Sequence, residues 1–347
     1  MAKSKPHSKP TMHDVAAAAG VSQATVSLVL NSAGGSRFSD ETRRKVKDAV
    51  AQLGYRTNAH AKMLRDGLAG MVGFIGDSVA TSPFAGAIIE GAQERAWEDG
   101  LLLVTMNTGG DKELEAASLD AMLSYNVAGI VYGSMYHRLL EVPKALAGVP
   151  SVVLNSQDRD GQLPSVAPNE VSGGYSATRH LIDAGHTRIG MINIELLESG
   201  LPAAVGRYEG FRGALEESGL DVDPALVRFG RGGEDDGYKY AMELMTAPKR
   251  PTAIFCANDR TAWGAYQAVA DLRLSIPHDV SIVGFDNQAI VAPHLRPGLT
   301  TFELPFVAMG RRAVELILQG AEPDGRVELM ECPLVERKSV THPKEMP

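Results

Sequence analysis

A chain of 347 residues exceeds the usual size of one compact domain, and its 44% apolar content suffices for sizeable cores, so a small domain joined to a larger α/β unit is expected. Two cysteines, Cys256 and Cys332, share no short spacing, which argues against a disulfide framework or a zinc site. With no secretory pattern and no run of about 18 apolar residues, the expected setting is the reducing cytoplasm. The net charge of −8 is uneven: residues 1–65 hold 11 Lys and Arg against 4 Asp and Glu, a net of +7, leaving −15 for the rest, a basic head suited to phosphates on an acidic body.

Thr11 is a good N-cap, and Val15, Ala16 and Ala19 recur at helical spacing before Gly20 closes a first short helix. Ser22 offers a second cap, and residues 24–30 run on as a second helix to Asn31. Two helices joined by a Gly-containing turn of about three or four residues have the helix-turn-helix form, in which the second helix enters the major groove. A plain helical bundle shares that spacing; the basic charge favours the DNA reader. A third helix starts at Ser39 with early acids and an apolar stripe of Val46, Ala49, Val50 and Leu53.

Asp66-Gly67-Leu68-Ala69-Gly70 reads as a connector. Beyond it short apolar strands, expected at 71–75, 101–105, 129–132, 151–154, 188–192, 226–229, 253–256 and 280–284, alternate with amphipathic helices. Regular βα alternation predicts parallel, doubly wound sheets, and eight or more strands predict two lobes. The Gly-rich stretch 230–233 makes neither a dinucleotide fingerprint nor a phosphate loop. No two-His helical metal spacing and no Ser-His-Asp order appears, so neither a cofactor, a metal nor an enzymatic activity is expected.

The run from Thr11-Met12-His13-Asp14-Val15-Ala16 through Gly20-Val21-Ser22-Gln23-Ala24-Thr25-Val26-Ser27 to Leu30-Asn31 resembles the signature of the lac repressor (LacI/GalR) family nearly residue for residue. The likeness continues through Arg37-Phe38-Ser39, Leu53-Gly54-Tyr55-Arg56 and the hinge-like Asn58-Ala59-His60-Ala61-Lys62-Met63-Leu64. By position it implies DNA contact by Thr11, Ser22, Gln23, Ala24, Thr25, Ser27, Leu28, Asn31, Arg37, Tyr55, Asn58, Ala61 and Leu64. Gln23, Ala24 and Leu28 would face base edges, and Ser22, Thr25 and Ser27 would face phosphates. The chemistry agrees in part, since Gln pairs bidentately with adenine and Ala contacts a thymine methyl, whereas Leu28 departs from the polar residue often found there. Leu64 stands where the family wedges a leucine into the minor groove, and Thr57 stands where it often has proline.

In the body the likeness is looser, carried by Gly185-His186-Thr187-Arg188-Ile189, Gly206-Arg207-Tyr208-Glu209-Gly210-Phe211, Asn258-Asp259 and Ser281-Ile282-Val283-Gly284-Phe285-Asp286-Asn287. It implies a multidomain protein, a small all-α helix-turn-helix domain (1–56), a hinge and linker (57–70) and an α/β two-lobed, type I periplasmic-binding-protein-like domain (71–340), followed by a tail (341–347). The expected first lobe is about 71–166 with 296–326, and the second about 167–295 with 327–340. An effector, a sugar or sugar derivative, is implied in the cleft, with Asp77, Phe84, Arg207, Asn258 and Asp286 in contact; several of these follow strand ends, where open α/β sheets bind ligands. Arg231-Gly232-Gly233 stands where relatives often place an aromatic ligand wall. Alternatives stay open: Asn258 as a helix cap, Asp286-Asn287 as a turn, Arg207 as a solvated charge. The implied protein is a homodimeric repressor of a carbohydrate operon that reads a near-palindromic duplex. Its rivals are a solute-binding protein, which would lack the basic head, and a sugar-modifying enzyme, which would need a catalytic constellation.

Overall fold

The computed structural model describes residues 10–31, 38–55, 70–82 and 86–344. Residues 1–68 and 69–347 form separate units. In the head, Thr11 and Asp14 close a capping box before helix α1 (Met12–Ala19): the Asp14 N–H donates to Thr11 Oγ1 at 3.3 Å and the Thr11 N–H to the Asp14 carboxylate at 2.8 Å. Gly20, at φ 65°, stops α1 in a left-handed conformation that side chains disfavour. Ser22 opens α2 (Gln23–Asn31) by accepting from the Thr25 N–H at 3.1 Å. With α3 (Asp40–Leu53), capped by Ser39, these helices bury Val15, Ala16, Ala19, Val26, Val46, Ala49 and Tyr55, and the expected helix-turn-helix is present.

The body holds two six-stranded sheets. The first comprises β1 (Met71–Gly76), β2 (Leu102–Asn107), β3 (Ile130–Gly133), β5 (Ser151–Leu154), β7 (Ser165–Pro168) and β13 (Val327–Met330), in the order β13-β7-β5-β3-β1-β2 with every pairing parallel. The second comprises β8 (Ile189–Asn193), β9 (Val227–Phe229), β10 (Ala253–Cys256), β11 (Ser281–Asp286), β12 (Thr300–Glu303) and β14 (Leu334–Val335), in the order β14-β12-β11-β10-β8-β9, with β14 antiparallel to β12. A two-stranded pair joins β4 (Leu139–Leu140) to β6 (Gln157–Asp158).

Both sheets are covered on both faces, which is why their central strands carry apolar runs such as Val152-Val153-Leu154 and Ala253-Ile254-Phe255-Cys256. In the first lobe Phe74, Val131 and Val152 pack under α4 (Gly86–Glu98) and α10 (Phe306–Leu318), and Ile75, Ile130 and Val153 face α5 (Lys112–Ser124). In the second, Phe255, Val283 and Phe285 pack under α6 (Glu170–Asp183) and α7 (Pro202–Glu217), and Ile192, Ile254 and Ile282 face α8 (Glu234–Thr246) and α9 (Asp259–Asp271). Cys256 and Cys332 are buried core residues. His186 is held between Thr252 Oγ1 and the Thr341 carbonyl, 2.9 Å from each. Among the described residues no helix is long and apolar enough to cross a membrane.

The chain passes between lobes at Asn169, at Leu304–Pro305 and between β13 and β14. Two of the expected lobe assignments therefore change. Residues 300–303, expected in the first lobe, form β12 of the second sheet, where Phe302 stacks on Phe285 with centroids 6.3 Å apart; the chain leaves that core only at Pro305. Residues 327–330, expected in the second lobe, make the parallel edge β13 of the first, against Ser165–Pro168.

Candidate functional site

On the head, Gln23, Ala24 and Leu28 on α2 and Ser22 at its start are exposed, with Thr25 and Ser27 half-buried beside them. Ala24, Ser27 and Leu28 are spaced three and four residues apart and share one helix face. Leu28 keeps 46% of its surface exposed, a large apolar group on the face expected to read bases. Thr11 is exposed but committed to the capping box. Tyr55, expected to contact DNA, instead packs in the three-helix core at 9% exposure, because its ring completes the apolar cluster around Val15 and Val46. Asn31 closes α2, and Arg37, Asn58, Ala61 and Leu64 lie outside the described residues.

In the body, a cleft of about 310 Å³ opens where the strand ends of both sheets meet the crossovers; Met135, Glu170, Arg207, Asn258, Asp286 and Phe306 line it, with Arg260, Gln288, Glu303 and Val307. Arg207 is 3% exposed. Its Nε donates to Glu170 Oε2 at 2.7 Å, its Nη1 to Asp286 Oδ1 at 3.2 Å and to the Ala257 carbonyl, and its guanidinium lies 4.0 Å over the Phe285 ring. Sequence pattern makes this geometry possible: Gly174 on α6 and Gly210 on α7 let the two helices touch backbone to backbone, where a Cβ would stand 2.4 Å from the Arg207 carbonyl oxygen and 2.2 Å from that of Val171. Glu170, the first residue of α6, also meets His137 Nδ1 at 3.4 Å, and His137 Nε2 lies 3.1 Å from Gln157 Nε2.

Burial pushes the Glu170 carboxyl up, but the Arg207 charge and the contact with His137 outweigh it and hold the group at about 2. Burial pushes Asp286 up to about 6 despite Arg207. Asp259, fully buried, is driven well above the ordinary carboxylate range, first by burial and then by the charge of Asp286. Asp286 (φ 103°) and Asn287 (φ 52°) hold left-handed backbone that non-glycine residues rarely adopt. Their neighbours hold the turn: the Gln288 N–H donates to Asp259 at 2.6 Å, Asn287 donates to Glu303 at 2.7 Å, and Arg337 donates to Asn287 Oδ1 at 2.8 Å.

Of the expected effector contacts, Arg207, Asn258 and Asp286 come together in this cleft. Asn258 also serves as a helix cap: its Oδ1 accepts from the Thr261 N–H at 2.7 Å and its amide donates to the Gly232 carbonyl at 2.9 Å. Asp77 does not line the cleft. Its carboxylate accepts from the Met135 N–H at 2.9 Å, from Ser134 at 3.1 Å and from Arg138 at 2.6 Å, tying the end of β1 to the loop after β3. Phe84 lies outside the described residues. Sequence reading missed Glu170, His137 and Gln288; a buried arginine needs a carboxylate, but no local signal in the sequence marks Glu170 as that partner.

A three-helix head with an exposed second helix, and a two-lobed body with a polar cleft, define a ligand-responsive regulator of the helix-turn-helix class. Residues 11–58 match the lacI family of bacterial regulatory proteins, and residues 178–340 match the periplasmic binding protein-like domain. Over 340 residues the chain is 33% identical to the HTH-type transcriptional repressor PurR of Haemophilus influenzae, covering 95% of this chain and 98% of that one. It is 34% identical to the ribose operon repressor of Haemophilus influenzae, covering 89% and 91%. The crystal structure of the lac repressor dimer bound to operator and the anti-inducer ONPF superposes with a TM-score of 0.79 at 26% identity, covering 96% of this chain and all of that one. The chain belongs to the LacI family of transcriptional regulators.

Proposed function

We propose that the chain is a homodimeric repressor whose α2 reads a near-palindromic operator and whose operator affinity changes when a hydroxylated small molecule occupies the cleft. Gln23, Ala24 and Leu28 face base edges in this reading, and Ser22, Thr25 and Ser27 face phosphates, with residues 57–70 linking reader to body. The observation that carries the body's role is the Glu170–Arg207–Asp286 cluster in the cleft, which the second lobe supplies from α6, α7 and the end of β11, with Glu170 directly after the crossover at Asn169. A sugar ring needs such a mixture of carboxylates and donors beside apolar walls. The head supports the other half: a basic segment presents an exposed helix of groove-reading composition.

Gel shift of the full chain on near-palindromic duplexes from its own upstream region, with and without candidate effectors, tests this. Specific retention that an effector strengthens or weakens is expected. Retention equal on scrambled duplexes, or unmoved by any cleft ligand, would refute the reading.

A further inference from the structure

The core side of α2 is complete without Leu28. Val26 is fully buried, and Val29 and Leu30 pack against the same cluster, so the residues that hold the helix to the head stand at 26, 29 and 30. Leu28 belongs to the opposite side: at 46% exposure it stands one turn beyond Ala24, on the face that also carries Ser27. A single exposed leucine is ordinary on a protein surface. This one lies in a head of net charge +7, with 11 basic against 4 acidic residues over positions 1–65, on the exposed helix of a helix-turn-helix.

The Leu28 side chain can neither donate nor accept a hydrogen bond. Set against a guanine O6, an adenine N6 or a cytosine N4, it would strip water from a polar edge and return nothing. The major groove offers one apolar group, the thymine C5 methyl. Packing that methyl against Leu28 removes apolar surface from water on both sides and leaves no polar atom unmatched. Cytosine has the same ring carbon without the methyl, and 5-methylcytosine has it with the methyl.

We propose that Leu28 reads a pyrimidine C5 methyl, so that each operator half-site carries thymine at the base pair facing it, and a cytosine there gains affinity when methylated at C5. This rests on α2 being the groove-reading helix. Ala24, whose side chain is a single methyl group, continues the apolar strip one turn earlier. Discrimination at the Leu28 pair turns on one carbon instead of on hydrogen bonds, which makes operator binding sensitive to a covalent mark on the DNA.

Selection of binding duplexes from a random pool by the full chain supplies the operator, and gel shift on singly substituted duplexes tests the proposal. Replacing thymine by uracil removes only the methyl. At one thymine per half-site that exchange is expected to weaken binding about threefold to fivefold, the worth of one buried methyl group. A C·G pair at the same place is expected to bind weakly and to recover about threefold or more when its cytosine is methylated at C5. Leu28→Ala, checked for folding by circular dichroism, is expected to bind the thymine and uracil duplexes alike at that position. Uracil tolerated without loss at every thymine, or a uracil penalty that Leu28→Ala retains, overturns the proposal. If Gln23→Ala still alters base preference in either case, α2 nevertheless stands as the reading helix. A selection that enriches no sequence overturns both readings.

Discussion

Arg207 and Glu170 face each other at 2.7 Å with neither side chain more than 4% exposed, so helices α6 and α7 are joined at their cleft ends by a charge pair sealed from water. Removing one member of such a pair strands the other. Glu170→Ala is expected to cost about 3–5 kcal/mol, and its urea midpoint to fall accordingly. An unchanged midpoint would show that the pair contributes nothing net and that Asp286 alone neutralises Arg207.

With the effector in the cleft as proposed, Asp286 is expected to set a pH dependence for its binding. Its carboxyl is raised to about 6, chiefly by burial, with Arg207 opposing and Glu170 adding to the rise. The acceptor form is the carboxylate, present above that value, so effector affinity is expected to be flat above about pH 7 and to fall as pH drops through 6. The stability term has the opposite sense: a raised folded value means the native state holds its proton longer, so this group's contribution is present at low pH and is lost as pH rises from 3.8 toward 6. Calorimetry from pH 5 to 8 checks the first, and Asp286→Asn should flatten the profile at the weak limit.

The glycines between α6 and α7 are expected to report on the cleft from behind it. Gly174→Ala or Gly210→Ala must push the helices apart and should cost about 1–3 kcal/mol while also weakening effector binding, since Arg207 moves with α7. Gly213→Ala, on the same helix with nothing within 4 Å of the added Cβ, should instead stabilise by up to about 1 kcal/mol. Thermal melts and effector titrations of the three variants distinguish close packing from helix propensity.

For the head, Gln23→Ala should change which base is preferred at one operator position, by about 1–3 kcal/mol of discrimination, whereas Ser27→Ala should weaken all duplexes alike. Log affinity should fall with log salt at about −0.9 per phosphate neutralised. Gel shifts on single-base operator variants at several salt concentrations would read both, and an unaltered base preference in Gln23→Ala would remove that residue from the reading face.

What the chain discloses before folding depends on whether a signal is local. The three head helices and the strong βα periods are local, so caps such as Thr11 and Ser39 and runs such as Ala253–Cys256 were legible. Ser165–Pro168 follows Pro164 and ends on a proline, and Val327–Met330 half-exposes alternate residues at an edge, so neither announces a strand. Their missing pairings hid the true lobe boundaries. Arg207, Asn258 and Asp286 were found through the family pattern and their places beyond strand ends. Glu170 could not be, because its partner stands 37 residues away and any of 42 acidic residues could have met the arginine. Asp77 and Tyr55 mislead for the same reason, since position along the chain does not say which way a side chain turns.

The order in which the strands are laid down governs how the protein can be made. The head is one contiguous stretch whose core is complete once Tyr55 has been synthesised, so it can fold while the remainder is still on the ribosome. Neither body sheet has that freedom. The first waits for Val327–Met330 at its edge and the second for Leu334–Val335, although most of their partners emerge far earlier. Nascent chains arrested before residue 327 should therefore carry a folded head on two unfinished sheets, each with an open edge inviting chaperones or a neighbouring chain.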